Sequence, residues 1–219
     1  MRPEAARRPE RDTPVGGTHE RGAQSRRLRI IAGQWRGRRW QFPPGGIRPT
    51  SDRVRETLFN WLQGRIHGRC CLDLYAGSGA LGLEALSRGA AHCVFVDQDG
   101  GAITALGDVL RQWGASTETV QLERSTAQQF LAKAVRAAAQ GTVPLGTPRF
   151  DLVFLDPPFV GDELSHSVAR LEACGYLSSG TLIYVEQPRV TRFTDFPASW
   201  LSCRSGTAGA VAYDLYERC

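Results

Sequence analysis

Apolar positions along the chain fall into short continuous runs separated by longer stretches of helical spacing. Residues 1–26 carry no aromatic and almost nothing large and apolar, so they read as a flexible tail. Leu28–Ala32, Gly33–Gly37 and Arg38–Phe42 then predict two short strands joined by a glycine-bearing turn, ended by Pro43, Pro44, Gly45 and Gly46. Ser51 or Asp52 is suited to cap a helix to about Gln63, with Val54, Leu58, Trp61 and Leu62 at helical spacing and Gly64 as its stop.

From Cys70 onward strands and helices alternate. Strands are expected at Cys70–Tyr75, His92–Asp97, Thr119–Leu122, Phe150–Leu155, Thr181–Glu186, Trp200–Arg204 and Ala210–Tyr216. Helices are expected from Ala80 to about Arg88, Gly101–Trp113, Ala127–Ala139 and Glu163–Ala173, with a Gly/Pro loop at Gln140–Arg149. Phe150–Leu155 is almost wholly apolar, as a central parallel strand buried on both faces must be. The alternation predicts an α/β, doubly wound, Rossmann-like sheet. Three segments follow: a basic tail (1–27), an N-terminal hairpin and helix (28–69), and the α/β domain (70–219).

Composition changes this picture in two places. No apolar run approaches the ~20 residues of a membrane-spanning helix, and the N-terminus lacks the apolar core of a secretory signal. Cys70, Cys71, Cys93, Cys174, Cys203 and Cys219 form no CxxC, and several sit in apolar runs, so free thiols, no metal site and a reducing cytoplasm are expected. The net charge of +5 is unevenly distributed: residues 1–69 hold 16 arginines against 6 acids, whereas residues 70–219 hold 11 basic residues against 16 acids. A basic front on an acidic body points to a polyanionic partner, although an arginine-rich composition with ordinary solvated charge would look similar.

Two motifs carry chemistry. In the first, Asp73-Leu74-Tyr75-Ala76-Gly77-Ser78-Gly79 follows a strand and opens a helix, with Gly82 one turn further on. Glycines there allow a tight turn and close backbone approach to a ligand. Asp97 lies 20 residues after Gly77, at the end of the second α/β strand, where an acid can bond ribose hydroxyls. The Gly-x-Gly-x-x-Gly spacing also fits a dinucleotide, which leaves a nicotinamide oxidoreductase open. Asp73 favours a cationic methionine moiety over a pyrophosphate.

The second motif is Asp156-Pro157-Pro158-Phe159, directly after the buried run. An exocyclic base amine is a poor nucleophile because its lone pair is delocalised into the ring. Bonds from its two N–H groups to the Asp156 carboxylate and the Pro157 carbonyl would draw the nitrogen toward tetrahedral geometry and free that lone pair. The prolines stiffen the loop and donate nothing, and Phe159 offers a stacking face worth roughly 1–3 kcal/mol.

The acid-Pro-Pro-aromatic loop resembles the signature of methyltransferases acting on adenine N6, cytosine N4 and guanine N2. Further matches narrow the resemblance. Arg29–Arg38 (RIIAGQWRGR), Arg48–Trp61 (RPTSDRVRETLFNW), Cys71–Arg88 (CLDLYAGSGALGLEALSR), Leu155–Phe159, Leu182–Glu186 and Val211–Tyr213 are similar to the D-type 16S rRNA guanine-N2 methyltransferases over about residues 28–217. That resemblance implies a class I methyltransferase with a seven-stranded sheet and a C-terminal antiparallel strand. It also implies S-adenosylmethionine as methyl donor, and one guanine of 16S rRNA (position 966 of that RNA) in the assembled or assembling small ribosomal subunit as target. By the same pattern Asp73, Gly77, Ser78 and Gly79 line the methionine side, Asp97 takes the ribose, and Thr126 and Ala127 lie beside the adenine. Relatives often carry Asp or Asn where Thr126 stands, which leaves the adenine contact open. A monomer is implied as well.

Against that background Arg29, Arg36, Arg38, Arg39, Arg48, Arg53 and Arg55 become RNA-contact candidates, and about half are expected to be ordinary solvated side chains. Trp35 and Trp40 either stack on bases or pack beneath the hairpin. Arg53 and Arg55 cannot face the same way on one helix. Competing readings are an adenine-N6 methyltransferase, a protein glutamine methyltransferase, and a non-catalytic RNA-binding assembly module. His19, His67, His92 and His166 form no triad or ligand set.

Overall fold

The computed structural model describes residues 26–42, 51–142 and 149–219. The expectations for residues 1–25, for Pro43–Gly46, for Arg48 and for the centre of the Gly/Pro loop lie outside the described residues. A two-stranded antiparallel hairpin, β1 (Arg26–Arg29) and β2 (Arg39–Phe42), precedes α1 (Asp52–Trp61). The α/β body follows as β3 (Cys70–Asp73), α2 (Ala80–Ser87), β4 (His92–Asp97), α3 (Gly100–Gln112), β5 (Val120–Arg124), α4 (Ala127–Ala139), β6 (Leu152–Leu155), α5 (Glu163–Ala173), β7 (Leu182–Pro188), β8 (Trp200–Ala208) and β9 (Val211–Arg218).

One seven-stranded sheet runs in the order β5-β4-β3-β6-β7-β9-β8. Its first five strands are parallel, and β9 is antiparallel to both β7 and β8. This is the doubly wound sheet that the alternation predicted. Where boundaries differ from the sequence reading, hydrogen bonding explains the shift. Strand β6 begins at Leu152 rather than Phe150 because the Phe150 N–H is donated to Tyr176 O, outside the ladder, at 3.0 Å. Strand β8 extends past Arg204 because Gly209, at φ +59°, closes a tight turn that pairs Ala208 with Val211.

All four residues of β6 are buried, since it lies between β3 and β7 with both faces covered. On one face α4 and α5 enclose Leu72, Val153 and Ile183 with Phe130, Leu131, Val168 and Leu171. On the other, Cys71, Phe154 and Tyr184 pack with residues of α1, α2 and α3. The hairpin joins this second cluster through Leu28, Ile30, Trp35, Trp40 and Phe42. Trp113 at the end of α3 anchors it, with ring centroids 5.3 Å from Trp35 and 5.7 Å from Trp40. Both hairpin tryptophans are therefore core residues, and they answer the choice between stacking on bases and packing beneath the hairpin in favour of packing.

A buried ionic cluster adds to this interface. Ile31 and Ala32 donate backbone N–H groups to the Glu84 carboxylate at 2.8 and 3.0 Å, and Arg88 Nε donates to it at 2.8 Å. Arg55 is fully buried, 2.6 Å from Asp52 and 3.8 Å from Glu84, and it donates to Arg29 O at 3.0 Å. That corrects the expectation of Arg55 as an RNA contact: it lies on the inner stripe of α1 beside Val54, Leu58 and Phe59, where its charge answers the buried Glu84.

Candidate active site

The parallel strands present their carboxyl ends along one edge, where ligands of open α/β sheets bind. From β3 the chain turns through Tyr75–Gly79 into α2. Gly77 has φ +51° and Gly79, the N-cap of α2, has φ +75°, a region that other residues enter only at a cost. A Cβ at Gly79 would meet Leu106 Cδ1 at 2.5 Å, and one at Gly82 would meet the Phe95 ring at 2.2 Å. The close-packed glycines thus press α2 onto the sheet, and the turn's backbone is left without side-chain bulk.

Acidic side chains hold the turn. Asp97, at the end of β4, accepts Gly77 N–H at 2.7 Å through one oxygen and Asp99 N–H at 2.8 Å through the other. Asp73 is buried and accepts Gly82 N–H at 3.0 Å. Burial pushes its carboxyl up to about 7, the Gly82 bond opposes that shift, and the nearby Asp97 charge adds to it. Ser78 is buried, and its carbonyl accepts Trp40 Nε1–H at 2.9 Å, so the hairpin is bonded directly to the glycine turn.

Beyond β5, Ser125 donates its N–H to Asp97 O at 3.0 Å, and its hydroxyl oxygen is buried with no hydrogen-bond partner among the described residues. Thr126 caps α4: its hydroxyl accepts from Gln129 N, and Gln129 bonds back to the Thr126 N–H. Threonine supplies here the cap that Asp or Asn could also supply. Ala127 is buried. Bare glycine backbone, paired acids and an unpartnered buried hydroxyl suit an adenosyl group with a cationic tail, so these residues fit the donor that the motif implies.

Strand β6 brings Asp156-Pro157-Pro158-Phe159 to the same edge, next to the turn: Asp73 pairs with Phe154, and Leu74 N–H reaches Phe154 O at 3.2 Å. Pro157 is buried, Pro158 is exposed, and Phe159 stands 44% exposed. A cleft of about 440 Å³ opens beside them, lined by Pro157, Pro158 and Phe159 and, from the β7 side, by Glu186, Gln187, Pro188, Arg192 and Phe193. The sequence reading missed this second wall. Burial, then the Glu186 carboxylate and its hydrogen bond, and then Asp156 push the Tyr184 phenol well above its ordinary range.

The basic candidates divide. Arg36, Arg39 and Arg53 are exposed. Arg29 pairs with Asp52 at 3.3 Å, and Arg38 donates to Trp113 O at 3.3 Å with its guanidinium 5.9 Å from the Trp113 ring. Arg48 lies outside the described residues, and Arg55 is internal. Among the described residues there is no group of three or more His, Cys, Asp or Glu able to hold a metal ion, and no helix is long and apolar enough to cross a membrane.

Sheet order, glycine turn and acid-Pro-Pro-aromatic loop together define a class I methyltransferase that uses S-adenosylmethionine. The model of a family described as Conserved hypothetical protein 95 matches residues 28–217. The ribosomal RNA small subunit methyltransferase D of Escherichia coli K12 is 44% identical over 195 residues, covering 89% of this chain and 91% of that protein. Its namesake in Haemophilus influenzae is 39% identical over 87% of this chain and 93% of its own length. The solved structure of yhhF from E. coli superposes with a TM-score of 0.76 at 44% identity, covering 88% of this chain and 98% of that one. The chain belongs to this family, that of the ribosomal RNA small subunit methyltransferases D.

Proposed function

We propose that the chain methylates the exocyclic N2 amine of one guanine in 16S rRNA, within the assembled or assembling small ribosomal subunit, and that it acts as a cytoplasmic monomer. The observation that carries this reading is the placement of Asp156–Phe159 at the end of β6, beside the glycine turn and against an open cleft. Relatives named for small-subunit rRNA support the substrate class, and guanine N2, with position 966 of that RNA, follows from the resemblance of the motifs.

S-adenosylmethionine supplies an electrophilic methyl group when bound. The protein's part is to bind, orient and exclude water. Asp73, Gly77, Ser78 and Gly79 face the methionine side, Asp97 the ribose, and Thr126 and Ala127 the adenine. Phe159 stacks on the target base, and the Asp156 carboxylate and Pro157 carbonyl accept the two amine protons. The nitrogen would take the methyl carbon as that carbon's bond to the donor sulfur breaks, its electron pair leaving on the thioether, and would give up one proton to the Asp156 carboxylate. Most of the acceleration comes from positioning and from pre-oriented acceptors. A base enters such a loop only when unpaired or flipped out.

Arg29, Arg36, Arg38, Arg39 and Arg53 are the RNA-facing candidates that stand on the surface; of these Arg29 already pairs with the half-exposed Asp52, and Arg38 with the Trp113 carbonyl. Methyl transfer from labelled donor to under-methylated small subunits, followed by nucleoside mass spectrometry, tests the proposal. N2-methylguanosine at one site, lost in Asp156→Ala with donor binding retained, is the expected result. Label on adenosine or on protein would overturn it. Donor binding without transfer to any acceptor would leave only an assembly module.

A further inference from the structure

Strands β6 and β7 run parallel with Leu155 opposite Val185, so the residues that follow, Asp156 and Glu186, leave the sheet side by side. Phe154 and Tyr184 lie on one face, and Leu155 and Val185 on the other. The alternation returns Asp156 and Glu186 to the face of Tyr184. Side-chain chemistry agrees: Tyr184 donates its hydroxyl to Glu186 Oε1 at 2.8 Å, and the charge of Asp156 acts on the same phenol. Glu186 is only 3% exposed, yet it lines the cleft together with Pro157 and Phe159.

The segment beyond Glu186 is tied down. Gln187 Oε1 accepts the Phe193 N–H at 2.8 Å, and Arg192 Nη2 lies 2.5 Å from Asp214. The wall that carries Glu186 is therefore fixed, as a group that reads a ligand must be.

Three nucleobases carry an exocyclic amine, and they differ in the ring nitrogen beside it. In adenine (N1) and cytosine (N3) that nitrogen offers a lone pair, whereas in guanine N1 carries a proton. A second carboxylate next to the amine cradle meets a donor in guanine and an acceptor in the other two. We propose that Glu186 is the residue that selects guanine, accepting N1–H while Asp156 holds the N2 amine. This rests on the reading of the site as a guanine-N2 methyltransferase. In a sheltered cleft the mismatch is poorly screened, so an opposed lone pair is rejected strongly.

2-Aminopurine probes the feature: it keeps the amine at the same ring position, replaces N1–H by a lone pair and also loses the C6 oxygen, so the assignment rests on how the Glu186 variant changes the preference. Small subunits are reconstituted with 16S rRNA carrying guanine or 2-aminopurine at the position that the wild-type enzyme methylates. The wild type is expected to prefer guanine by roughly a hundredfold or more in kcat/KM. Glu186→Gln keeps the shape and the acceptor for Tyr184 but can turn an amide N–H toward a ring lone pair. It should lower guanine transfer and narrow the preference by at least about tenfold, with donor affinity and melting temperature close to wild type. A wild type that accepts both bases equally, or a variant whose preference is unchanged, overturns the assignment of Glu186. A wild type that makes no N2-methylguanosine on guanine-bearing subunits overturns the underlying reading instead.

Discussion

The two halves of the crevice are built differently. Over β3, β4 and β5 the acids are occupied by backbone: Asp97 takes the N–H groups of Gly77 and Asp99, and Asp73 takes that of Gly82. Glycine contacts with Leu106 and Phe95 leave that half no slack. Over β6 and β7 apolar side chains stand in the open: Phe159, 44% exposed, lines the cleft, and the next residue, Val160, is 79% exposed. One half is formed in advance for a small ligand of fixed shape. The other leaves an aromatic face uncovered, as suits a base that arrives on a large RNA and covers it only on binding.

Removing the acceptor that touches the amine should break the comparison most sharply. Asp156→Ala is expected to lower kcat by about a hundredfold to a thousandfold while donor binding, followed by calorimetry, stays near wild type. Parallel losses of both would mean that the two halves are not separable. The closer-packed of the two glycines against Leu106 and Phe95 tests the other half. Gly82→Ala drives a methyl group into Phe95, and overpacking of this kind costs about 1–3 kcal/mol. Chemical denaturation should show that loss together with weakened donor binding, and unaltered donor affinity would show that the turn tolerates slack.

Stacking should matter less than the amine contact. Phe159→Ala forfeits roughly 1–3 kcal/mol of base stacking, so KM for the subunit rises with little change in donor affinity or folding stability. A fall in melting temperature would instead make Phe159 part of the core, against its exposure.

A smaller effect follows from Asp73. Its carboxyl is raised from 3.8 to about 7 in the fold, so the folded chain holds a proton that the unfolded chain has released. The contribution of this group to stability is therefore present below the lower value and is lost as pH rises through about 7. A cationic donor favours the ionised form, so its affinity should climb as the carboxyl ionises toward neutrality and then level off. Asp73→Asn should remove that part of the pH dependence; a profile unchanged by the substitution would exclude Asp73 from donor binding.

How much of this was legible in the residues depends on what they contact. The glycine turn and the buried run ending at Asp156 declare themselves because a turn needs glycine and a doubly covered strand needs unbroken apolar residues. Both are local demands. Arg55 shows the limit: charge alone placed it on the surface, whereas its spacing from Leu58, Phe59 and Leu62 puts it on the buried face of α1. A lone acid, Glu84, within an otherwise apolar helix was the matching signal, but the pairing spans 29 positions and needs the fold to be seen. Glu186 was similarly read only as the end of a strand, because its neighbour Asp156 is 30 residues away in the chain.

The N-terminal segment provides the finest test, because the hairpin and α1 carry both surface and structural arginines. Each phosphate contact should contribute roughly one unit to the slope of log affinity against log salt. Arg36→Ala with Arg39→Ala removes two exposed guanidiniums and should flatten that slope by up to about two units, leaving the melting temperature close to wild type. Arg55→Ala should do the reverse. Taking one partner from a buried ion pair costs up to about 3–5 kcal/mol; this is the upper limit here, because Glu84 keeps Arg88 at 2.8 Å, yet no phosphate contact is lost and the slope should hold. An Arg36/Arg39 pair that leaves the slope intact would take the hairpin tip out of the RNA interface, and attention would pass to Arg53 on α1. The two readouts, salt slope and stability, therefore separate arginines that bind RNA from arginines that hold the hairpin to the cofactor helix, a distinction that charge counting along the chain cannot make.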